Sequence, residues 1–192
     1  MESKLIRSFY AIPVSPDCRQ KFNTIEQELK KVLPSGIRWV STDNLYVTLK
    51  FLGEFDSKLI PKIYKLLETG LSTKNQFEMI FQNLGVFPNT QKPKVVWIGL
   101  GNPIELINIF NEIESAANEL GYPKEERGFS PHVTIGRVKN HASDLSKIAA
   151  IINNLNIGEI CRSQADRVVF YRSSLTPTGP VYSELFQIHL KR

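Results

Sequence analysis

Two short stretches with the same alternating pattern constrain this chain more than any other feature. Ser130-Pro131-His132-Val133-Thr134-Ile135-Gly136-Arg137 and Asn44-Leu45-Tyr46-Val47-Thr48-Leu49-Lys50 each read as a β-strand with an aliphatic residue at every second position. One face of each strand is therefore committed to a core, through Val133 and Ile135 or through Leu45, Val47 and Leu49. The other face presents His132 with Thr134, or Tyr46 with Thr48, two residues apart and pointing the same way. Set face to face, such strands place two threonine hydroxyls and two titratable groups around one small anion.

The two stretches are offset by 86 residues (132 minus 46). Each is followed by a polar turn, a Ser-capped amphipathic helix, a strand, a proline-containing loop and a further strand. That shared order predicts a duplicated unit whose halves pack about a pseudo-twofold axis. The expected fold class is α+β, with two pseudo-twofold-related lobes of mostly antiparallel sheet, outer helices and a central cleft, so that residues 1–192 form a single bilobal domain.

The rest of the chain supplies the elements for this plan. Leu5 to Ile12 reads as a strand that ends at Pro13. Ser15, Pro16 and Asp17 supply a cap, a first-turn proline and an early acid for a helix with Cys18, Phe22, Ile25, Leu29 and Val32 on one stripe, stopped at Pro34-Ser35-Gly36. Ile37 to Val40 is a short strand, and Ser41 to Asn44 a turn. Ser57 caps a helix that buries Leu59, Ile60, Ile63, Leu66 and Leu67. Phe77 to Leu84 and Lys94 to Leu100 are strands. Asn102-Pro103 starts a helix with Ile104, Ile107, Phe110, Ile113, Ala117 and Leu120 inward and Gly121 as its stop. Ser143 opens another through Leu145, Ile148, Ile151 and Ile152. Cys161 to Tyr171 and Tyr182 to Leu190 are the terminal strands, with a turn-rich loop from Ser173 to Pro180 between them.

A content of 42% hydrophobic and 22% charged residues fits a soluble globular protein and excludes a disordered one. No apolar run approaches the length of a membrane span, and Met1-Glu2-Ser3-Lys4 leads directly into a strand, so no membrane partner is expected and the cytoplasm is the expected location. Cys18 and Cys161 lie far apart outside any motif, which argues against a disulfide framework or a thiolate metal site; Cys18 reads as a small core residue. With only His132, His141 and His189 as imidazoles, a transition-metal site would need mostly carboxylates, and neither a metal nor a cofactor is expected. The net charge of +5 favours an anionic partner, and nucleic acid or a nucleotide fits.

The residues singled out above resemble the two-histidine phosphoesterase superfamily, and within it the RNA 2′,3′-cyclic phosphodiesterases, also called 2′,5′ RNA ligases, which carry one His-x-Thr-x motif in each lobe. The second motif stands intact at His132-Val133-Thr134-Ile135. The first is matched by Arg38-Trp39-Val40, Asn44-Leu45 and Val47-Thr48-Leu49-Lys50-Phe51-Leu52-Gly53-Glu54, with Tyr46 in the place of its histidine. Family-like stretches continue in Phe9-Tyr10-Ala11-Ile12-Pro13, Gly85-Val86-Phe87-Pro88, Val95-Val96-Trp97-Ile98-Gly99, Tyr171-Arg172-Ser173, Leu175-Thr176-Pro177 and Gly179-Pro180-Val181-Tyr182.

The resemblance implies metal-independent opening of 2′,3′-cyclic phosphates at RNA ends to 2′-phosphates, with reversible 2′,5′ ligation as a second activity of the family. His132 would be the general base that activates water, Thr48 and Thr134 would grip the phosphate, and Tyr46 would occupy the general acid's place. A tyrosine with an ordinary pKa near ~10 stays protonated at neutral pH, so it donates a hydrogen bond but does not cycle as an acid and base would. Three outcomes stay open: a slower phosphodiesterase that uses Tyr46 as acid, an enzyme whose missing role is filled elsewhere, and a catalytically impaired binding protein for RNA ends or nucleotides.

Four side chains extend the candidate site. Lys50 continues the Tyr46 and Thr48 face by simple alternation, as a cleft cation for RNA phosphates or a solvated lysine. Arg137 has the opposite parity from His132, and a bulge after Gly136 would be needed to turn it to the phosphate, where the family often has arginine. Phe87 and Tyr182 read first as core packing, with base stacking as the functional alternative. His141 and His189 match no motif and read as structural. The expected partner is RNA with a 2′,3′-cyclic phosphate or 2′-phosphate end, or a nucleotide, bound by a monomer.

Overall fold

The aliphatic parity of the two motif strands builds the centre of the sheet. In the computed structural model, which describes residues 4–33, 35–101, 104–139, 144–155, 157–177 and 179–192, Val47 and Leu49 of β3 (Tyr46–Asp56) and Val133 and Ile135 of β6 (His132–Val138) are buried in one core. The two strands are antiparallel neighbours joined by a single register pair, Val47 with Val133. Beyond β3 lie β1 (Leu5–Pro13), β8 (Arg167–Thr176) and β9 (Gly179–His189). Beyond β6 lie β5 (Val95–Leu100), β4 (Phe77–Phe87) and β7 (Glu159–Ala165), while β2 (Ile37–Trp39) also pairs with β6. The order is β7-β4-β5-β6-β3-β1-β8-β9, and the strand pairings are antiparallel. The fold is α+β, and its two lobes are halves of one sheet that narrows to the Val47 and Val133 junction.

Helices cover the face that carries the aliphatic residues. Helix α1 (Pro16–Val32) starts where its cap predicts, with Ser15 Oγ accepting from the Cys18 N–H at 3.4 Å, and it buries Cys18, Phe22 and Leu29 while leaving Val32 exposed. Helix α2 (Ile60–Leu71) begins a turn later than Ser57. Residues 57–59 form a 3₁₀ turn capped by the Asp56 carboxylate, and Pro61 sits in the first turn, where no donor is needed. Helix α3 (Ile104–Glu119) is turned from its expected face: Leu106, Ile109, Ile113 and Ala117 are buried, whereas Ile104 and Ile107 are exposed. Apolar residues surround this helix, and buried Glu114, which a count of apolar positions puts outside, settles the orientation. Helix α4 (Leu145–Asn154) buries Ile148, Ala149 and Ile152. Helices α1 and α4 pack on β7 and β4, and α2 and α3 on β9 and β3. Met1 to Ser3, the stop at Pro34, the start at Asn102-Pro103, His141, the Ser143 cap and Thr178 lie outside the described residues.

Three expectations are corrected. The strand read from Cys161 to Tyr171 is two strands that meet at Asp166; β7 pairs with β4 in one lobe and β8 with β1 in the other, so the chain changes lobe without a break in its strand-like pattern. The stretch from Ser173 to Pro180 is mostly strand, because Ser173 pairs with Tyr182 and Thr176 with Gly179, which confines the turn to the tip. Finally, Cys18 and Cys161 form a disulfide, with Cα atoms 5.7 Å apart across 143 residues of chain. The first turn of α1 lies directly on β7, where the Ser15 N–H also donates to Ser163 Oγ at 3.0 Å, and distance along the sequence carried no information about that contact.

Candidate active site

A bulge after each motif threonine decides what faces the cleft. Strand β1 pairs Ala11 with Thr48 but Tyr10 with Lys50, so Leu49 is an extra residue on β3. Strand β5 pairs Trp97 with Thr134 but Val96 with Gly136, so Ile135 is the extra residue on β6. An extra residue inverts the parity of everything beyond it. Lys50 therefore does not continue the Tyr46 and Thr48 face, as strict alternation required. It is 3% exposed, with its ammonium bound by Glu114 Oε1 and by the Pro123 carbonyl at 3.0 Å. Phe51 takes the outward position instead and is 61% exposed. On β6 the same inversion turns Gly136 inward and Arg137 onto the cleft face. A Cβ on Gly136 would lie 2.9 Å from Ile37 Cγ2 and 3.2 Å from the Trp39 ring, so the close approach of β2 requires glycine there.

The cleft, about 690 Å³ in volume, is bordered by Tyr46 and Thr48 of β3 and by His132, Thr134 and Arg137 of β6. Five of the six residues singled out in the sequence thus converge, and Lys50 borders the same space only with its charge already engaged. Neither threonine hydroxyl has a protein hydrogen-bond partner among the described residues, so both are available to a ligand.

His132 is held as a neutral base. Its Nδ1 lies 2.7 Å from the Ser130 carbonyl, which assigns the proton to Nδ1 and leaves Nε2 as the acceptor. Burial lowers its pKa from 6.5; the Ser130 bond acts the other way, and the Arg137 charge adds to the lowering. The Phe87 ring meets the imidazole edge-on at 4.9 Å and also packs on Trp97 at 5.1 Å, so Phe87 supports the base rather than the core alone.

Tyr46 is built differently. Its phenol donates to the Asp43 carbonyl at 2.8 Å, and its ring packs on Tyr171 at 4.9 Å and Tyr182 at 5.9 Å. Burial pushes its pKa up, against the Arg19 guanidinium 5.9 Å from the ring centre, so the phenol is neutral at physiological pH with its proton already in a hydrogen bond. Tyr182 lines the cleft instead of packing only in a core, and with Phe9 and Phe51 it makes one wall aromatic. Phe9 and Phe51 of that wall, Arg38 and Arg127 were not among the residues singled out; strand pairing brings Phe9, Phe51 and Arg38 to the cleft and the segment before β6 brings Arg127, and neither is written in a local pattern. Among the described residues, no three His, Cys, Asp or Glu side chains are grouped so as to hold a metal ion.

Antiparallel lobes meeting at two x-Val-Thr strands, with a neutral imidazole and two free hydroxyls in the cleft between them, define a two-histidine phosphoesterase, with Tyr46 standing in β3 where His132 stands in β6. More narrowly, the chain belongs to the LigT like phosphoesterase family, whose pattern it matches over residues 12–97 and 99–182. It is 33% identical over 182 residues to the RNA 2′,3′-cyclic phosphodiesterase of Thermotoga maritima, covering 95% of this chain and 94% of that one. The crystal structure of TT0787 of Thermus thermophilus shares the fold, with a TM-score of 0.82 at 23% identity over 97% of this chain and 98% of that one. E. coli LigT complexed with 3′-AMP superposes with a TM-score of 0.77 at 25% identity, over 98% of this chain and all (100%) of that one.

Proposed function

We propose that this protein hydrolyses 2′,3′-cyclic phosphates at RNA ends to 2′-phosphates without a metal, with His132 as the general base. The observation that carries this reading is the acceptor state of His132 Nε2, fixed by the Ser130 bond, in one cleft with the unengaged hydroxyls of Thr48 and Thr134. Nε2 removes a proton from water as the water oxygen attacks phosphorus. The bond from phosphorus to O3′ breaks, O3′ gains a proton and leaves as the 3′-hydroxyl, and the phosphate remains on O2′. Both threonines and Arg137 donate to the non-bridging oxygens, where charge develops. Ligation would be the same ring opening with a 5′-hydroxyl in the place of water, forming the 2′,5′ bond as the bond to O3′ breaks, and its reversal would return the cyclic phosphate and the 5′-hydroxyl. The names of the curated relatives, RNA 2′,3′-cyclic phosphodiesterase, support the substrate, and the complex of E. coli LigT with 3′-AMP supports a nucleotide at the site.

The weak point of the catalytic set is the proton for O3′. Tyr46 reaches it only by giving up the Asp43 carbonyl, and its raised pKa makes it a reluctant donor. General acid assistance is typically worth ~10²–10⁴-fold, so hydrolysis should be slow rather than absent. The same hydrogen bond favours a second reading, in which the site binds 2′-phosphorylated ends without turnover. The protein would act as one bilobal, monomeric domain; descent of its lobes from a duplicated unit is supported by the bulges at Leu49 and Ile135, which keep the 86-residue offset of the motifs (135 minus 49).

Turnover of a cyclic-phosphate-ended oligonucleotide in EDTA, with enzyme in excess, tests the reading beside Tyr46→His. Slow turnover in the native chain, faster by about 100-fold or more in the variant, is expected. Binding of 2′-phosphorylated ends with no product from the native chain would establish the second reading, and a slower variant would show Tyr46 to be adapted to the chemistry.

A further inference from the structure

Tyr46 is a poor source of the proton that O3′ needs, and the cleft holds a second phenol whose proton is not engaged. In a displacement at phosphorus the attacking and leaving oxygens lie roughly in line. A group that protonates O3′ must therefore approach from the wall opposite the base. His132 stands on β6, which puts that group on the lobe of β1, β3, β8 and β9. Among the described residues, the titratable side chains that this lobe places on the cleft wall are Tyr46, Lys50 and Tyr182. The Lys50 ammonium is bound by Glu114 and by the Pro123 carbonyl, and the Tyr46 phenol donates to the Asp43 carbonyl. The Tyr182 hydroxyl has no hydrogen-bond partner among the described residues.

Long-range contacts, not neighbours in sequence, fix Tyr182 in this place. Strand β9 is separated from β3 by β1 and β8. Even so, the Tyr182 ring meets Phe9 edge-on at 4.9 Å and Tyr46 edge-on at 5.9 Å, which holds the phenol beside the side chain that stands where a second histidine would. Asn44 Nδ2 donates to the Pro180 carbonyl at 3.3 Å and ties the start of β9 to the turn that leads into β3. Burial raises the pKa of Tyr182, and the charges of Arg137 and Arg7 oppose that rise, so the phenol keeps its proton at neutral pH within the field of the guanidinium that grips the phosphate.

We propose that Tyr182 is the general acid of this site and gives its phenolic proton to O3′. The assignment rests on the phosphoesterase reading above. As the water oxygen bonds to phosphorus and the bond to O3′ breaks, the O–H bond of Tyr182 breaks and its proton goes to O3′, which leaves a phenolate near Arg137. The phenolate then takes a proton from solvent while His132 gives up to solvent the one it removed from water, and the site is restored. A phenol is a weaker acid than an imidazolium, so turnover through Tyr182 stays below that of Tyr46→His.

The test is single turnover, in EDTA with saturating enzyme, of adenosine 2′,3′-cyclic phosphate and of its analogue with sulfur in the place of O3′. A thiol is far more acidic than a ribose hydroxyl, so the sulfur leaves as a thiolate without a proton from the protein. Tyr182→Phe deletes one oxygen and keeps the ring that packs on Phe9 and Tyr46. It should slow the oxygen substrate by about 100-fold and the sulfur substrate by less than about threefold. In Tyr46→His the same substitution should cost less, because the introduced imidazole takes over the proton. Equal losses on the two substrates would make Tyr182 a residue that only holds the substrate and would overturn the acid role. So would an unchanged rate on the oxygen substrate, or an equal cost in the native chain and in Tyr46→His. Failure of the phosphoesterase reading looks different: the native chain then opens neither substrate, and the acid role falls with it.

Discussion

Replacing Lys50 by Met tests how the chain behind the cleft is held. Side chains of Lys50 and Glu114 are only 3% and 6% exposed, so their charges neutralise one another out of water. Glu114 Oε2 also accepts the Glu125 N–H at 2.9 Å, and the Lys50 ammonium donates to the Pro123 carbonyl. The pair thereby fixes both ends of the short segment that leads to Arg127 and Phe129 on the cleft wall. Met keeps the unbranched stem and removes the charge, which leaves a buried carboxylate alone; breaking such a pair costs about 3–5 kcal/mol. With a urea slope in the ordinary range, that is a midpoint lowered by roughly 2 M. Lys50→Met with Glu114→Gln removes both charges while keeping an acceptor for the Glu125 N–H, and it should recover more than half of the loss. Urea unfolding followed by far-UV circular dichroism measures Lys50→Met, Glu114→Gln and the double variant in a double-mutant cycle. A loss below about 1 kcal/mol for Lys50→Met, or a double variant no better than the single, would refute the claim that these charges are buried and interdependent.

Other outcomes are equally definite. The acid limb of kcat/KM should have its midpoint below 6.5, because burial disfavours the imidazolium, and Arg137→Gln should move that midpoint upward by removing a neighbouring positive charge. No alkaline limb should appear below pH ~10, since the pKa of Tyr46 is raised from that value, whereas Tyr46→His should make the profile bell-shaped; a pH-rate series on a cyclic phosphate checks both. Gly136→Ala should cost about 1–3 kcal/mol in thermal or urea unfolding, because its Cβ would press on Ile37 and Trp39 at 2.9 Å and 3.2 Å. Non-reduced protein should show no titratable thiol after unfolding. Reduction should lower the melting temperature, up to the ~5 kcal/mol that chain entropy allows for a loop of 143 residues, and a scan with and without reductant reads the shift.

The alternation in β3 and β6 was legible because burial on one face writes a period of two directly into the residues. So was the start of α1, where Ser15 and Pro16 carry local chemistry. What was hidden depends on contacts between distant segments. Strict alternation put Lys50 in the cleft and left Arg137 out of it without a bulge; the bulges that reverse both arise from pairing with β1 and β5 and leave no mark on β3 or β6 themselves. The disulfide has the same origin, since α1 lies on a strand that begins 127 residues after that helix ends (159 minus 32). In α3 two apolar stripes competed, and the buried acid that chose between them is intelligible only beside Lys50. Arg38 was in view as part of Arg38-Trp39-Val40 and Arg137 as a candidate in its own right, but their pairing across the ladder was not.

The most direct measurement follows an oligonucleotide with a 2′,3′-cyclic phosphate end by phosphorus NMR, in EDTA, with the native chain and with His132→Ala. The account predicts slow conversion to the 2′-phosphate by the native chain and none above background by the variant, while both still bind the 2′-phosphorylated product. Conversion that persists in His132→Ala, or a native product carrying its phosphate on O3′, would contradict it.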